Sequence, residues 1–133
     1  MSLSESRALT GVHHVRLPVR DLARSYEFWR DVLGYERDFD FAGPEGPRGW
    51  ALKHPGGGPD IVLWHDPEKA RATSGFPWFS IGLPSGQDVE NLAQELDRQG
   101  IPHGGVQDAI VETKLPFVND PDGHLIGFYA KPR

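Results

Sequence analysis

The 133-residue chain contains no cysteine and a single methionine. Without thiols it can hold no disulfide framework, no thiolate metal site and no cysteine nucleophile. It also lacks any apolar run approaching the roughly 20 residues that cross a bilayer. No signal-peptide pattern precedes the first periodic segment. Positive charge is in the minority, with 14 Lys and Arg against 19 Asp and Glu. A net charge of −5 argues against a phosphate backbone as partner, since that needs a basic face. The expectation is a soluble, cytoplasmic protein with neither a nucleic-acid nor a membrane partner. A hydrophobic share of 38% and a charged share of 25% are those of a globular domain.

Glycine and proline are plentiful, 16 and 12 residues, and they punctuate a regular pattern. From Val12 to Val19 the residues alternate, placing Val15, Leu17 and Val19 on one face and His14, Arg16 and Pro18 on the other; this period of two predicts a half-buried strand. Asp21 can cap a helix carrying Leu22, Tyr26, Trp29 and Leu33, with Gly34 as its C-terminal cap. Strands over Tyr35–Phe41, Arg48–His54 and Asp60–His65 follow, separated by Gly/Pro-rich turns. The order then repeats. A strand over Trp78–Pro84 leads to a helix capped by Ser85, carrying Val89, Leu92 and Leu96 and closed by Gly100. Pro102–Gln107, Ile110–Asn119 and His124–Ala130 read as strands. A shift of 66 residues places Leu17 on Leu83 and Gly34 on Gly100, so a βαβββ unit is duplicated. The predicted fold class is α+β: two paired βαβββ modules forming an open, cleft-enclosing mixed sheet, because one module alone would expose a sheet face. A tail over 1–8 precedes a single domain over 9–130, with module one at about 9–65, a polar linker at 66–76 and module two at 77–130.

Three segments carry a family resemblance: the opening His14-Val15-Arg16-Leu17-Pro18-Val19-Arg20-Asp21-Leu22, then Ser25-Tyr26-Glu27-Phe28-Trp29 with Leu33-Gly34-Tyr35, and Phe117-Val118-Asn119-Asp120-Pro121-Asp122-Gly123-His124 near the end. In this order, with the internal repeat, the chain resembles the vicinal oxygen chelate superfamily of glyoxalases, extradiol dioxygenases, fosfomycin-resistance transferases and bleomycin-binding proteins. The resemblance implies a glyoxalase-like fold and, in metal-dependent members, four ligands facing the cleft. It places them at His14, Val62, Ser80 and Gly127. Valine and glycine offer no donor and a serine hydroxyl is a poor one, so no metal is expected at these positions. Glu112, His65 or Asp60 could substitute only from neighbouring strands. By the same resemblance a homodimer is expected.

His14 reads either as a general base or ligand donor, or as an inherited structural residue. His13 falls on the other face, and His54, His103 and His124 are expected at the surface. By alternation Arg16, Trp64, Trp78 and Tyr129 join His14 and Ser80 in the cleft, with Trp50 and Phe117 added if they point inward. Such a lining suits a flat or aromatic molecule with an anionic or acceptor group; alternatively the aromatics are core and Arg16 pairs with an acid such as Asp60. No phosphate loop or nucleophile elbow is present, and Asp120 and Asp122 read as turn residues. Three functions follow. The first is metal-independent binding of a small molecule, with no cofactor. The second is a lyase, isomerase or dioxygenase using His14 and Arg16 with displaced ligands. The third is a structural or regulatory module with a filled cleft.

Overall fold

The computed structural model describes residues 8–131. Eight strands and three helices run β1 (His14–Val19), α1 (Leu22–Asp31), β2 (Glu36–Gly43), β3 (Gly46–Lys53), β4 (Asp60–His65), α2 (Pro67–Ala72), β5 (Pro77–Gly82), α3 (Gly86–Arg98), β6 (Gln107–Asp108), β7 (Thr113–Asn119) and β8 (Leu125–Ala130). The duplication is visible in the pairing. One four-stranded sheet has the order β1-β4-β3-β2 and the other β5-β8-β7-β6. In each, the module's first and last strands run parallel while the remaining pairs are antiparallel.

Local chemistry sets the element ends. The Asp21 carboxylate accepts the Arg24 N–H at the start of α1, and Gly34 takes φ +78° just beyond its end, a conformation that favours glycine. Ser85 accepts the Asp88 N–H to start α3, and Gly100 at φ +69° follows its end.

Two segments differ from the sequence expectation. Within 66–76 the chain forms α2, capped by Asp66 with proline in the first turn. The strand expected over Pro102–Gln107 does not form before Gln107, where the two-residue β6 begins. Pro102 lacks an N–H for a ladder, Gly105 adopts φ +83°, and the Gly104 N–H instead reaches the Pro116 carbonyl at 2.8 Å.

The modules meet through the helix-bearing side of each sheet. Leu17, Val19, Leu52, Ile61 and Leu63 from the first sheet join one buried cluster with Leu115, Ile126 and Phe128 from the second. Trp29 of α1, fully buried, stacks against Phe79 of β5 at 6.3 Å between ring centroids. A polar joint closes one end. Buried His124 aims its Nε2 at the Pro18 carbonyl, 2.7 Å away, and Asp122 accepts the Arg20 backbone N–H and Nε–H at 3.1 and 2.8 Å. Residues of α1 and α3 pack into this same core side of the sheets. Among the described residues no helix is long and apolar enough to cross a membrane.

Candidate functional site

Strand register assigns each side chain to a face, because residues directly opposite one another share it. On the first sheet, Arg16 pairs with Val62, Val62 with Ala51 and Trp64 with Gly49, and Phe39 and Phe41 with Ala51 and Gly49. These residues make up the open face. Val15, Leu17, Ile61, Leu63, Leu52 and Trp50 belong to the helix-covered face.

Trp64 is the centre of the open face. Its indole lies over Gly49, where an added Cβ would stand 2.7 Å from Trp64 Cε3. The Arg16 guanidinium carbon sits 4.2 Å from the ring centroid and that of Arg48 sits 5.2 Å away. Phe41 meets the same ring edge-on at 5.8 Å, and Phe39 packs on Phe41 at 5.1 Å. An indole attracts cations over its face, and two guanidiniums gathered there offer forked donors to a carboxylate or sulfonate. Arg16 makes no ion pair among the described residues; its guanidinium goes to Trp64, and the alternative pairing with an acid such as Asp60 does not form.

The second sheet's open face pairs Ser80 with Gly127 and Gly82 with Tyr129 across β5 and β8, and Lys114 with Tyr129 across β7 and β8. Phe117, at φ +60° in the β7 register break, is half exposed. With Pro77, Phe79, Ser80, Gly127 and Tyr129 it borders a hollow of about 130 Å³. The space left by a side chain at Gly127 is already taken: an added Cβ would lie 2.7 Å from Ser80 Oγ and 3.2 Å from the Tyr129 ring.

The residues the resemblance assigns to a metal do not make a ligand set. Val62 is buried and apolar, Gly127 has no side chain, and Ser80 leans onto Gly127. His14 is exposed and directs Nδ1 to His13 Nδ1 at 3.0 Å. Among the described residues the metal-capable grouping lies elsewhere, in buried Asp120, Asp122 and His124. It does not fit a cation either. His124 has both nitrogens engaged, Nδ1 accepting the Trp78 indole N–H at 2.9 Å and Nε2 facing the Pro18 carbonyl. Asp122 is neutralised by Arg20 at 2.8 Å and Arg24 at 3.6 Å. One Asp120 oxygen accepts the Asp122 and His124 N–H groups, and the other is buried without a partner. Burial pushes the Asp120 carboxyl up to about 6 despite the neighbouring His124.

Several expectations are corrected here. Trp50 does not face the cleft: paired with Leu63, it packs edge-on against Tyr26 of α1 at 5.9 Å beneath the Arg37 guanidinium. Trp78 falls in the register break between Pro77 and Phe79 and turns onto His124 rather than standing beside Ser80 on the open face. His124 is fully buried, not a surface turn residue. His54 and His103 are half-buried, the first against Tyr35 and the second 2.7 Å from Asp97. Asp122 exceeds its turn role by holding Arg20 from the other module. Arg48, Phe39 and Phe41 were missed, although the Phe-x-Phe spacing would have found the two phenylalanines.

The sequence pattern of the Glyoxalase/Bleomycin resistance protein/Dioxygenase superfamily matches residues 11–128. No curated protein matches significantly. Among solved structures, a glyoxylase/bleomycin resistance protein/dioxygenase domain from a Frankia species is 21% identical, with a TM-score of 0.77 over 95% of each chain. The fosfomycin resistance protein FosX from Listeria monocytogenes is 14% identical, with a TM-score of 0.74 over 92% of this chain and 94% of its own. TnmS3, an antibiotic binding protein from a Streptomyces species, is 20% identical, with a TM-score of 0.69 over 94% of this chain and 98% of its own.

Proposed function

Because the chain belongs to the Glyoxalase/Bleomycin resistance protein/Dioxygenase superfamily, we propose that it uses the superfamily's open sheet face for metal-independent binding of a small aromatic anion. The fold alone does not choose between roles, since its neighbours include a resistance protein and an antibiotic binding protein. The residues of the open face support binding. The observation that carries the reading is Trp64, half-buried, with Arg16 and Arg48 over its ring and Phe41 at its edge. A planar ligand packs on Phe41 and along the edge of Trp64 while its acidic group takes the two guanidiniums held over the indole. His14, exposed beside them, serves as a rim hydrogen-bonding group. Conversion of the ligand is not part of this reading, because Val62 and Gly127 supply no donor that would activate it.

The binding unit is a homodimer. The two open faces belong to different sheets whose helix-bearing sides are joined within the chain, so each face looks outward. Both carry exposed aromatics, Phe39 at 51% on the first and Phe117 at 53% on the second. A second copy that lays its Ser80–Tyr129 face over the first copy's Trp64 face buries these aromatics and closes the cleft, giving two sites per dimer.

Titration with anthraquinone monosulfonate, a planar aromatic anion, followed by tryptophan fluorescence, tests the reading. Saturable quenching in the wild type, weakened at least tenfold by Arg16→Ala and lost in Trp64→Ala, is expected. Quenching that survives both substitutions would place the ligand elsewhere.

A further inference from the structure

A second cavity system lies along the seam between the modules, away from the Trp64 face and touching the second sheet at Ser80 and Gly82. It has two adjoining lobes, about 240 Å³ and about 160 Å³, which share Tyr35, His54, Ile81 and Gly82. Together they reach the lower end of the range for small-molecule pockets, about 300–1,000 Å³. Their walls are mainly apolar and come from both modules: Val15 and Ile61 with Phe79 in the first lobe, Leu33 with Leu92 and Phe128 in the second.

Two residues with hydrogen-bond donors, Tyr35 and His54, line both lobes. Tyr35 is 2% exposed, and its phenol is pushed up to about 12 by burial and then by the Asp60 charge, with no hydrogen bond contributing. It therefore stays a neutral O–H across the working pH range. His54 packs edge-on against Tyr35 at 5.2 Å. Its Nδ1 accepts the Gly56 N–H at 2.8 Å, so in the neutral ring the hydrogen sits on Nε2. A phenolic O–H donates one hydrogen bond, and a ligand acceptor at this junction can take it. The charge of that acceptor can also be argued. No lysine or arginine lines either lobe, and the nearby Asp60 carboxylate disfavours a second anion.

We propose that this seam is a second binding site, for an apolar molecule with one uncharged acceptor such as a ketone or ester carbonyl, received by the Tyr35 hydroxyl with His54 Nε2–H as the second donor. The site selects against the anions that suit the Trp64 face, and its occupant bridges the two modules.

Calorimetric titration with methyl heptyl ketone, repeated with nonanoate, tests this directly. The ketone should bind one per chain and more tightly than nonanoate. Tyr35→Phe, which removes one hydroxyl and leaves the ring, should weaken it about five- to tenfold. Ile81→Trp, which fills the shared volume, should abolish binding, and saturating anthraquinone monosulfonate should leave the ketone affinity unchanged. Absence of ketone binding, tighter binding of nonanoate, an affinity unaltered by Tyr35→Phe, or displacement by the sulfonate would each overturn the assignment. The sulfonate arm separates this site's failure from failure of the Trp64 reading, and Tyr35→Phe keeps the test decisive should Ile81→Trp not fold.

Discussion

At the scale of single residues, the open face depends on what glycine permits. Trp64 can lie flat because Gly49 has no side chain, and an added Cβ there would also meet the Leu63 carbonyl oxygen at 2.8 Å. That oxygen is backbone and cannot swing away. Gly49→Ala should therefore cost about 1–3 kcal/mol, read as a lower urea midpoint at unchanged m-value, and should weaken ligand binding by tilting the indole. Unchanged stability and binding would mean that the indole is not held as described. Asp120 gives a second test. Burial raises its carboxyl from 3.8 to about 6, so the folded state holds this proton more tightly than the unfolded chain does. Its stabilising contribution is complete below about pH 4 and is lost as the pH rises through about 6, a decline of at most about 3 kcal/mol. Urea unfolding across pH 4–7 should show that decline in the wild type and a flatter profile in Asp120→Asn; identical profiles would contradict it.

At the scale of elements, the joint between β1–α1 and the β7–β8 hairpin is the polar fastening of the two modules. His124→Leu leaves the Trp78 indole N–H and the Pro18 carbonyl without their partner. It should destabilise by about 2–4 kcal/mol, seen as a fall in Tm, whereas an exposed histidine would change it little. This joint also shows where sequence reading stops. Periodicity and caps made most elements legible: Asp21 and Ser85 start the two long helices and Gly34 and Gly100 follow their ends, because those signals are local. The six residues of α2 are too few for a periodic stripe, although Asp66-Pro67 carried the cap signal. Alternation separates two faces of a strand but does not say which one a helix covers, so Trp50 could not be placed without its register against Leu63. A register break defeats alternation outright, which is why Trp78 turns to His124. Burial of His124 depends on Pro18, 106 positions away, and no local pattern encodes it. Of the candidate site, Arg16, Trp64, Ser80 and Tyr129 were readable by face, whereas Phe117 lies in a register break and the Arg48 guanidinium reaches Trp64 from a neighbouring strand.

At the scale of the whole molecule, the duplicated unit has been put to two uses. Its helix-bearing sides make one shared core, and its open sides lie outside that core. Exposed Phe39 and Phe117 on those open sides lead to the expectation of a dimer, and sedimentation velocity should show one at micromolar concentration. Replacing both aromatics with Lys should shift the species to monomer without lowering helix content. A wild type that sediments as a monomer would remove the closed cleft. The most direct measurement of the central claim, metal-independent binding on the Trp64 face, is calorimetric titration of chelator-treated protein with anthraquinone monosulfonate, with and without added Zn²⁺. One ligand per chain, bound with the same affinity in both conditions, is expected. Binding that appears only with Zn²⁺, and is lost in His14→Ala, would contradict it.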